Sequence, residues 1–243
     1  LAPVSALVLT RILGPEQYGV LGAVAVVVAL ASRLAELRFT ESLVPRPVVT
    51  GRMLNTALWV SLSLSSAAVL VIGLLSGQLA GAIGVPQAAS LMVPAALPLV
   101  IDAVAAVHAT QLRRSMRLTV LAWADVVAAA VVMVVAVLMA RAGFGPWSIV
   151  SAQIAGRLTR LAVVAWASPH AYRLELDVAE IGPQLRYGLP LLLSSGVASL
   201  AANADRGVIS RLFDLESLGH YDRAQAVSNL PVSLLAGPLM AVV

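Results

Sequence analysis

Apolar residues along this chain run in long charge-free blocks, broken by short links of Gly, Pro and Arg. The longest block, Met53 to Ile101, holds 49 residues without one charged side chain. A single bilayer-spanning helix takes about 20 apolar residues, so this block predicts two spans and the turn between them. The same criterion, with Gly and Pro as punctuation, predicts eight spans over the whole chain. A stub ends near Thr10 and turns at Gly14-Pro15-Glu16; the second span runs roughly Tyr18–Leu34 and the third roughly Leu54–Leu75. A Gly-rich link (Gly77, Gly81, Gly84, Pro86) leads to the fourth, roughly Leu91–Ala109. The fifth, roughly Leu118–Ala140, turns at Gly143-Phe144-Gly145-Pro146 into the sixth, roughly Trp147–Ala167. A polar, amphipathic connector, Ser168–Arg186, precedes the seventh, roughly Tyr187–Ala204, and the eighth begins near Ala224. With no starting Met and no exit after the last apolar run, the chain is expected to be cut at both ends.

Arginine placement orients these spans. The links after spans two, four and six carry Arg33, Arg38, Arg46, Arg52, Arg113, Arg114, Arg117, Arg173 and Arg186; those after one, three and five carry only Arg11 and Arg141. Cytoplasmic loops attract Arg and Lys, so the even links face the cytoplasm. The link after span seven breaks the pattern, mixing Arg206, Arg211 and Arg223 with Asp205, Asp214, Glu216 and Asp222, which reads as paired charge. An internal repeat also emerges. Residues 10–19 align without gaps on residues 210–219, with Arg11/Arg211, Glu16/Glu216 and Gly19/Gly219 identical. Six spans separate the copies, so the two halves share orientation, as parallel transporter repeats do.

Composition narrows the class. Sixty per cent of the residues are hydrophobic and 12% charged, against about 25% charged in a soluble domain; mean hydropathy is +0.92. The net charge of +4 comes from sixteen cations, all arginine, scattered singly along apolar segments. A nucleic-acid surface gathers its cations among aromatics, and aromatics are 5% here, so the expected partner is a lipid bilayer and not nucleic acid. No cysteine is present, which removes disulfides, thiolate metal sites and cysteine nucleophiles. Gly-rich phosphate loops, metal-spaced histidines and nucleophile elbows are also missing. No catalytic residue, metal or cofactor is expected, and the chain reads as a non-enzyme.

Arg11-Ile12-Leu13-Gly14-Pro15-Glu16-Gln17-Tyr18-Gly19 resembles the signature after the first helix of polysaccharide exporters. These are the Wzx-type flippases of the multidrug/oligosaccharidyl-lipid/polysaccharide exporter superfamily. Further resemblances follow in order: Glu41 to Arg46, Leu112 to Arg117 with Asp125, Gly145-Pro146-Trp147, Tyr187 to Pro190, Asn203 with Asp205-Arg206, and Leu218 to Tyr221 with Asn229-Leu230-Pro231. Ser210 and Asp214 stand where the family usually has glycine, and Arg38 where an apolar residue or Gly is commoner. The resemblance implies an all-α, polytopic transmembrane bundle of twelve to fourteen helices, in two lobes around a central cavity, working by alternating access. Residues 1–167 would be the first lobe, 168–186 an amphipathic cytoplasmic linker, and 187–243 the start of the second. It implies a multi-pass protein of the bacterial inner membrane that exports a polyprenyl-pyrophosphate-linked oligosaccharide for lipopolysaccharide, O-antigen, capsule or exopolysaccharide. Polysaccharide polymerases and glycosyltransferases would be its partners. A cation-coupled multidrug exporter is the alternative within transport; a membrane-embedded glycosyltransferase or polymerase is the alternative outside it. The latter needs a large polar outer loop, and every outer link here is short.

Charge inside a membrane span is costly and a functional candidate. Arg157 lies near the middle of the sixth span, and Arg160, three residues on, shares its face. Guanidinium grips phosphate with two parallel hydrogen bonds, so either could hold a diphosphate; equally, both could snorkel to the interface or pair with an acid. Asp102 and Asp125 flank the Arg113–Arg114 turn, eleven residues on either side, which predicts matching depth. They could ligate a coupling cation, share a proton, pair with the span-six arginines, or make structural hydrogen bonds. His108 reads as an interface residue. Asn203, Asp205 and Arg206 close span seven, where substrate contact and an ion pair with Arg211 or Arg223 both fit. Arg11/Glu16 and Arg211/Glu216 read as turn-stabilising pairs or gate elements.

Overall fold

The computed structural model describes residues 14–35, 43, 49–168, 172, 173, 175–177, 182, 193, 194, 196–198, 201, 204–206, 208, 209, 212–214, 216–225 and 228. Every regular element among them is helical: α1 (Pro15–Ala35), α2 (Gly51–Ile83), α3 (Ala89–Arg114), α4 (Leu118–Arg141) and α5 (Trp147–Ala167), with a 3₁₀ turn at Pro86–Ala88. The first span, Arg11, Arg38, Asn203, Arg211 and the eighth span beyond residue 228 lie outside the described residues. Three of the described helices (α2, α3 with its 3₁₀ turn, and α4) are long and apolar enough to cross a membrane.

Local chemistry sets the helix ends. Pro15 starts α1, where its missing N–H costs nothing, and Glu16 sits in the first turn against the positive end of the helix dipole. The Thr50 hydroxyl accepts from the Met53 N–H and caps α2. That helix runs 33 residues to Gly84, whose φ of 81° lets the last turn close through Val85 N–H to Ala80 O at 2.9 Å. The sequence placed a Gly-rich link after Leu75; Gly77 and Gly81 are instead helical. An apolar surrounding offers no water to an open backbone, so the hydrogen-bonded helix wins over the conformational freedom of glycine. The other bounds fall within a turn or so of expectation, and α5 matches it at both ends.

The helices pack as an antiparallel bundle with α3 in its interior. Val20, Ala23, Val24, Val27 and Ala31 of α1 bury against Ile72 and Ala80 of α2 and Leu91, Met92 and Ala96 of α3. At the Arg114 end of α3, Ala105, Ala109 and Leu112 meet Leu121 and Ala124 of α4 and Val164 of α5. The α4–α5 seam is built from small residues at helical spacing: Ala128, Ala136 and Ala140 on one side, Ala152 and Gly156 on the other. Without a hydrophobic drive between helices in lipid, close backbone approach supplies the contact. A Cβ on Gly156 would run into Val132. Leu70, Val71 and Leu74 of α2 and Trp123, Val126, Val134 and Leu138 of α4 are exposed, the apolar faces a bilayer would cover.

Candidate functional site

Arg157 stands ten residues from each end of α5, with about 15 Å of helix on either side. Its Nη1 lies 3.3 Å from Asp102 Oδ2 and 3.5 Å from Asp102 Oδ1, on α3. The two side chains are 44% and 37% exposed, so the pair is open on one side. Arg160 turns to α4 instead and donates through Nε to Asp125 Oδ1 at 2.7 Å. The shared face expected of the two arginines thus divides between two neighbours. An i, i+3 step leaves about 60° between side chains, enough for one to reach α3 and the other α4.

The equal depth expected of the two carboxylates does not hold. Asp102 lies twelve residues from the end of α3 at Arg114, whereas Asp125 lies seven from the start of α4 at Leu118. Residues 115–117 form the turn and use up the difference, with Met116 at a φ of 55°. Asp102 is therefore about 7 Å deeper along the helix axis. Of these two acids, Asp102 is the one that lines a cleft. A cleft of about 490 Å³ lies between α1, α3 and α5, and Asp102 and Arg157 are both in its wall. It follows one face of α1 from Tyr18 to Ser32, about 20 Å. Between its ends the walls are largely apolar (Leu21, Val24, Val28, Leu99), with Gln153 one turn before Arg157 on the same face. Arg160 and Asp125 do not line it.

Asp222 and Tyr18 mark the other end of the cleft. Asp222 accepts from Arg206 Nε at 2.6 Å, Tyr221 donates its hydroxyl proton to Asp205, and the Arg223 guanidinium lies 5.2 Å from the centre of the Tyr18 ring. For the Asn203, Asp205 and Arg206 group the sequence allows a substrate contact or an ion pair with Arg211 or Arg223; among the described residues Arg206 pairs with Asp222. Asp214 accepts from Ser217 N–H at 2.8 Å and so caps the helical residues 216–225. The Ser217 side-chain and backbone hydrogen bonds hold its carboxyl below the usual range. Glu16 is exposed, and Glu216 lies 3.6 Å from His220; the Arg partners proposed for both fall outside the described residues.

His108, six residues from the end of α3, is 1% exposed. Its Nδ1 lies 2.6 Å from the Ser168 carbonyl oxygen and its Nε2 2.5 Å from the Tyr172 hydroxyl. A carbonyl only accepts, so Nδ1 donates to Ser168 and the Tyr172 hydroxyl bonds the other ring nitrogen. Trp59 Nε1 donates to Arg173 O at 2.8 Å, and Asp177 N–H donates to Thr56 Oγ1 at 2.9 Å. These bonds tie the described part of the connector across the start of α2 and the end of α3. Burial pushes the Tyr172 phenol above its ordinary value. Sequence reading missed Gln153, Tyr18 and Asp222 as cleft residues. Gln153 was within reach, as a polar residue one helical turn from Arg157; the other two needed the packing of distant segments.

Residues 8–243 match the family described as polysaccharide biosynthesis proteins. The chain is 24% identical over 235 residues to the succinoglycan biosynthesis transport protein ExoT of Rhizobium meliloti, covering 97% of this chain and 48% of that protein. It is 26% identical over 237 residues to the lipopolysaccharide biosynthesis protein WzxC of Escherichia coli, covering 92% and 46%. The chain thus spans about half the length of the curated relatives it matches. No solved structure matches it.

Proposed function

Since the chain belongs to the polysaccharide biosynthesis protein family and has three helices long and apolar enough to cross a membrane among its described residues, we propose that it is half of a multi-pass inner-membrane exporter of lipid-linked oligosaccharide. The cargo is a polyprenyl-pyrophosphate-linked precursor, and the protein moves it without making or breaking a bond. One observation carries this reading. Arg157 stands at mid-helix in the wall of a cleft between α1, α3 and α5, held through a single nitrogen by Asp102. A guanidinium offers five donors, so most of its hydrogen-bonding capacity faces the cleft. A diphosphate crossing an apolar slab needs such a partner, and a cationic drug does not. The names of the two relatives, one a transport protein for succinoglycan and one a lipopolysaccharide biosynthesis protein, support the same cargo class.

In this reading residues 1–167 form the first lobe and 187–243 begin the second. Arg157 contacts the diphosphate, Gln153 hydrogen-bonds next to it, and Asp102 exchanges the guanidinium for a proton or a coupling cation as the anion arrives. Arg160 and Asp125 brace α5 against α4. Glycosyltransferases and a polymerase would supply and consume the cargo on the two faces of the membrane. The test is complementation of an exporter-null strain with the full-length protein, scored by surface polysaccharide at matched membrane levels. Arg157→Ala is expected to lose export by about a hundredfold and Arg157→Lys to recover part of it, because lysine keeps the charge but lacks the planar fork. Wild-type export by Arg157→Ala removes this residue from the mechanism.

A further inference from the structure

The internal repeat, seen in sequence only over residues 10–19 and 210–219, continues into the contact at the Tyr18 end of the cleft. Gly22 meets Asp222 there, and 22 and 222 are equivalent positions at the same offset of 200. A Cβ placed on Gly22 would run into the Asp222 carboxylate, and Leu218 stands beside it. Leu218 is itself the equivalent of Tyr18, and it is fully buried among Val20 and Val24 of α1. A twofold axis between two related elements brings equivalent positions into contact where it passes, and the Gly22–Asp222 contact meets that condition. The pairing at that axis is also chemically asymmetric in the required sense. Two aspartates there would repel, and two glycines would leave a hole, whereas one of each fills the space with a single carboxylate.

We propose that Gly22 and Asp222, meeting on this pseudo-twofold axis, are the outer closure of the cleft, and that they separate to release cargo. The proposal rests on the reading of the cleft as the transport path. Arginine distribution places the Tyr18 end of α1 on the outer side. The closure is polar: the Asp222 side chain is 11% exposed, and its charge is answered by Arg206 at 2.6 Å. An apolar plug in that place would hold the mouth shut. A buried charged pair regains hydration when the surfaces part, so the open state is not heavily penalised. The Arg223 guanidinium over the Tyr18 ring adds a second contact of the same breakable kind.

The experiment uses the full-length protein freed of any cysteine outside this chain, which has none. Gly22→Cys with Asp222→Cys is expected to cross-link in membranes under mild oxidation, to lower export by about tenfold or more as a locked gate does, and to recover on reduction. Absence of the cross-link, or unchanged export by the cross-linked protein, overturns the closure. Gly22→Ala supplies the second arm, should the cysteine pair keep the protein from the membrane. Its methyl group holds the contact apart, so Gln153→Cys in the cleft should label severalfold faster with an impermeant maleimide added outside. Unchanged labelling overturns the proposal. The two readings fail separately: full export by Arg157→Ala alongside a cross-link that blocks export removes the diphosphate contact and leaves the closure standing.

Discussion

Arg157 and Asp102 are paired across α3 and α5, and a pair of substitutions separates what this pair does for folding from the transport role proposed for it. Asp102→Asn alone leaves a guanidinium without its counter-charge in the middle of a helix bundle, and such a charge is expensive. The level of that variant in the membrane should fall. Adding Arg157→Gln removes the orphaned charge, so the double variant should return to near wild-type levels while staying inactive in export. Immunoblots of washed membranes beside polysaccharide staining read the two effects independently; recovery of both would make the pair purely structural. The candidates at this scale were legible because an Arg or Asp inside an apolar run stands out. Their pairing was not. Which acid each arginine meets depends on the rotation of α5 and on the three residues spent in the turn at 115–117, and a one-dimensional count from Arg113 and Arg114 contains neither.

At the scale of the elements, glycine meant two different things that sequence alone did not separate. Gly84, Gly143 and Gly145 have positive φ and end or begin helices, as turn glycines should. Gly77 and Gly81 lie inside α2 with nothing within 4 Å of an added Cβ. Each should therefore accept alanine with a gain of up to about 1 kcal/mol, since Ala is the better helix former. Thermal unfolding in detergent of Gly77→Ala and Gly81→Ala would show it; a drop in midpoint for both would mean that this stretch is not helical. Gly156 is the opposite case. It sits where α5 presses on Val132 of α4, so Gly156→Leu should overpack the seam and cost about 1–3 kcal/mol. That variant should also weaken export, because the same helix carries Arg157. Apolar runs with Gly and Pro as punctuation located α5 to the residue but could not tell a packing glycine from a punctuating one, since both appear as a gap in the apolar pattern.

For the whole molecule, the alternation of arginine-rich and arginine-poor links was the strongest signal in the chain, and it survives the change in helix lengths. Extending α2 to Ile83 shortens the link after it without adding charge, and extending α3 to Arg114 moves arginines only from the link to the helix end. What the links could not convey is that the connector after α5 is tied down. His108, Trp59 and Thr56 hold Ser168, Tyr172, Arg173 and Asp177 across α2 and α3, so independent movement of the second half has to begin beyond them. Single cysteines test the orientation at exposed, described positions. Gln87 lies in the arginine-free link between α2 and α3, and Met116, 79% exposed, lies in the link with Arg113, Arg114 and Arg117. In intact cells an impermeant maleimide should label Gln87→Cys and spare Met116→Cys, and after the membrane is permeabilised both should react. Labelling of Met116→Cys in intact cells, with Gln87→Cys protected, would invert every span. The Gly22–Asp222 contact would then close the cytoplasmic mouth, and Arg157 would be approached from the other side of the membrane.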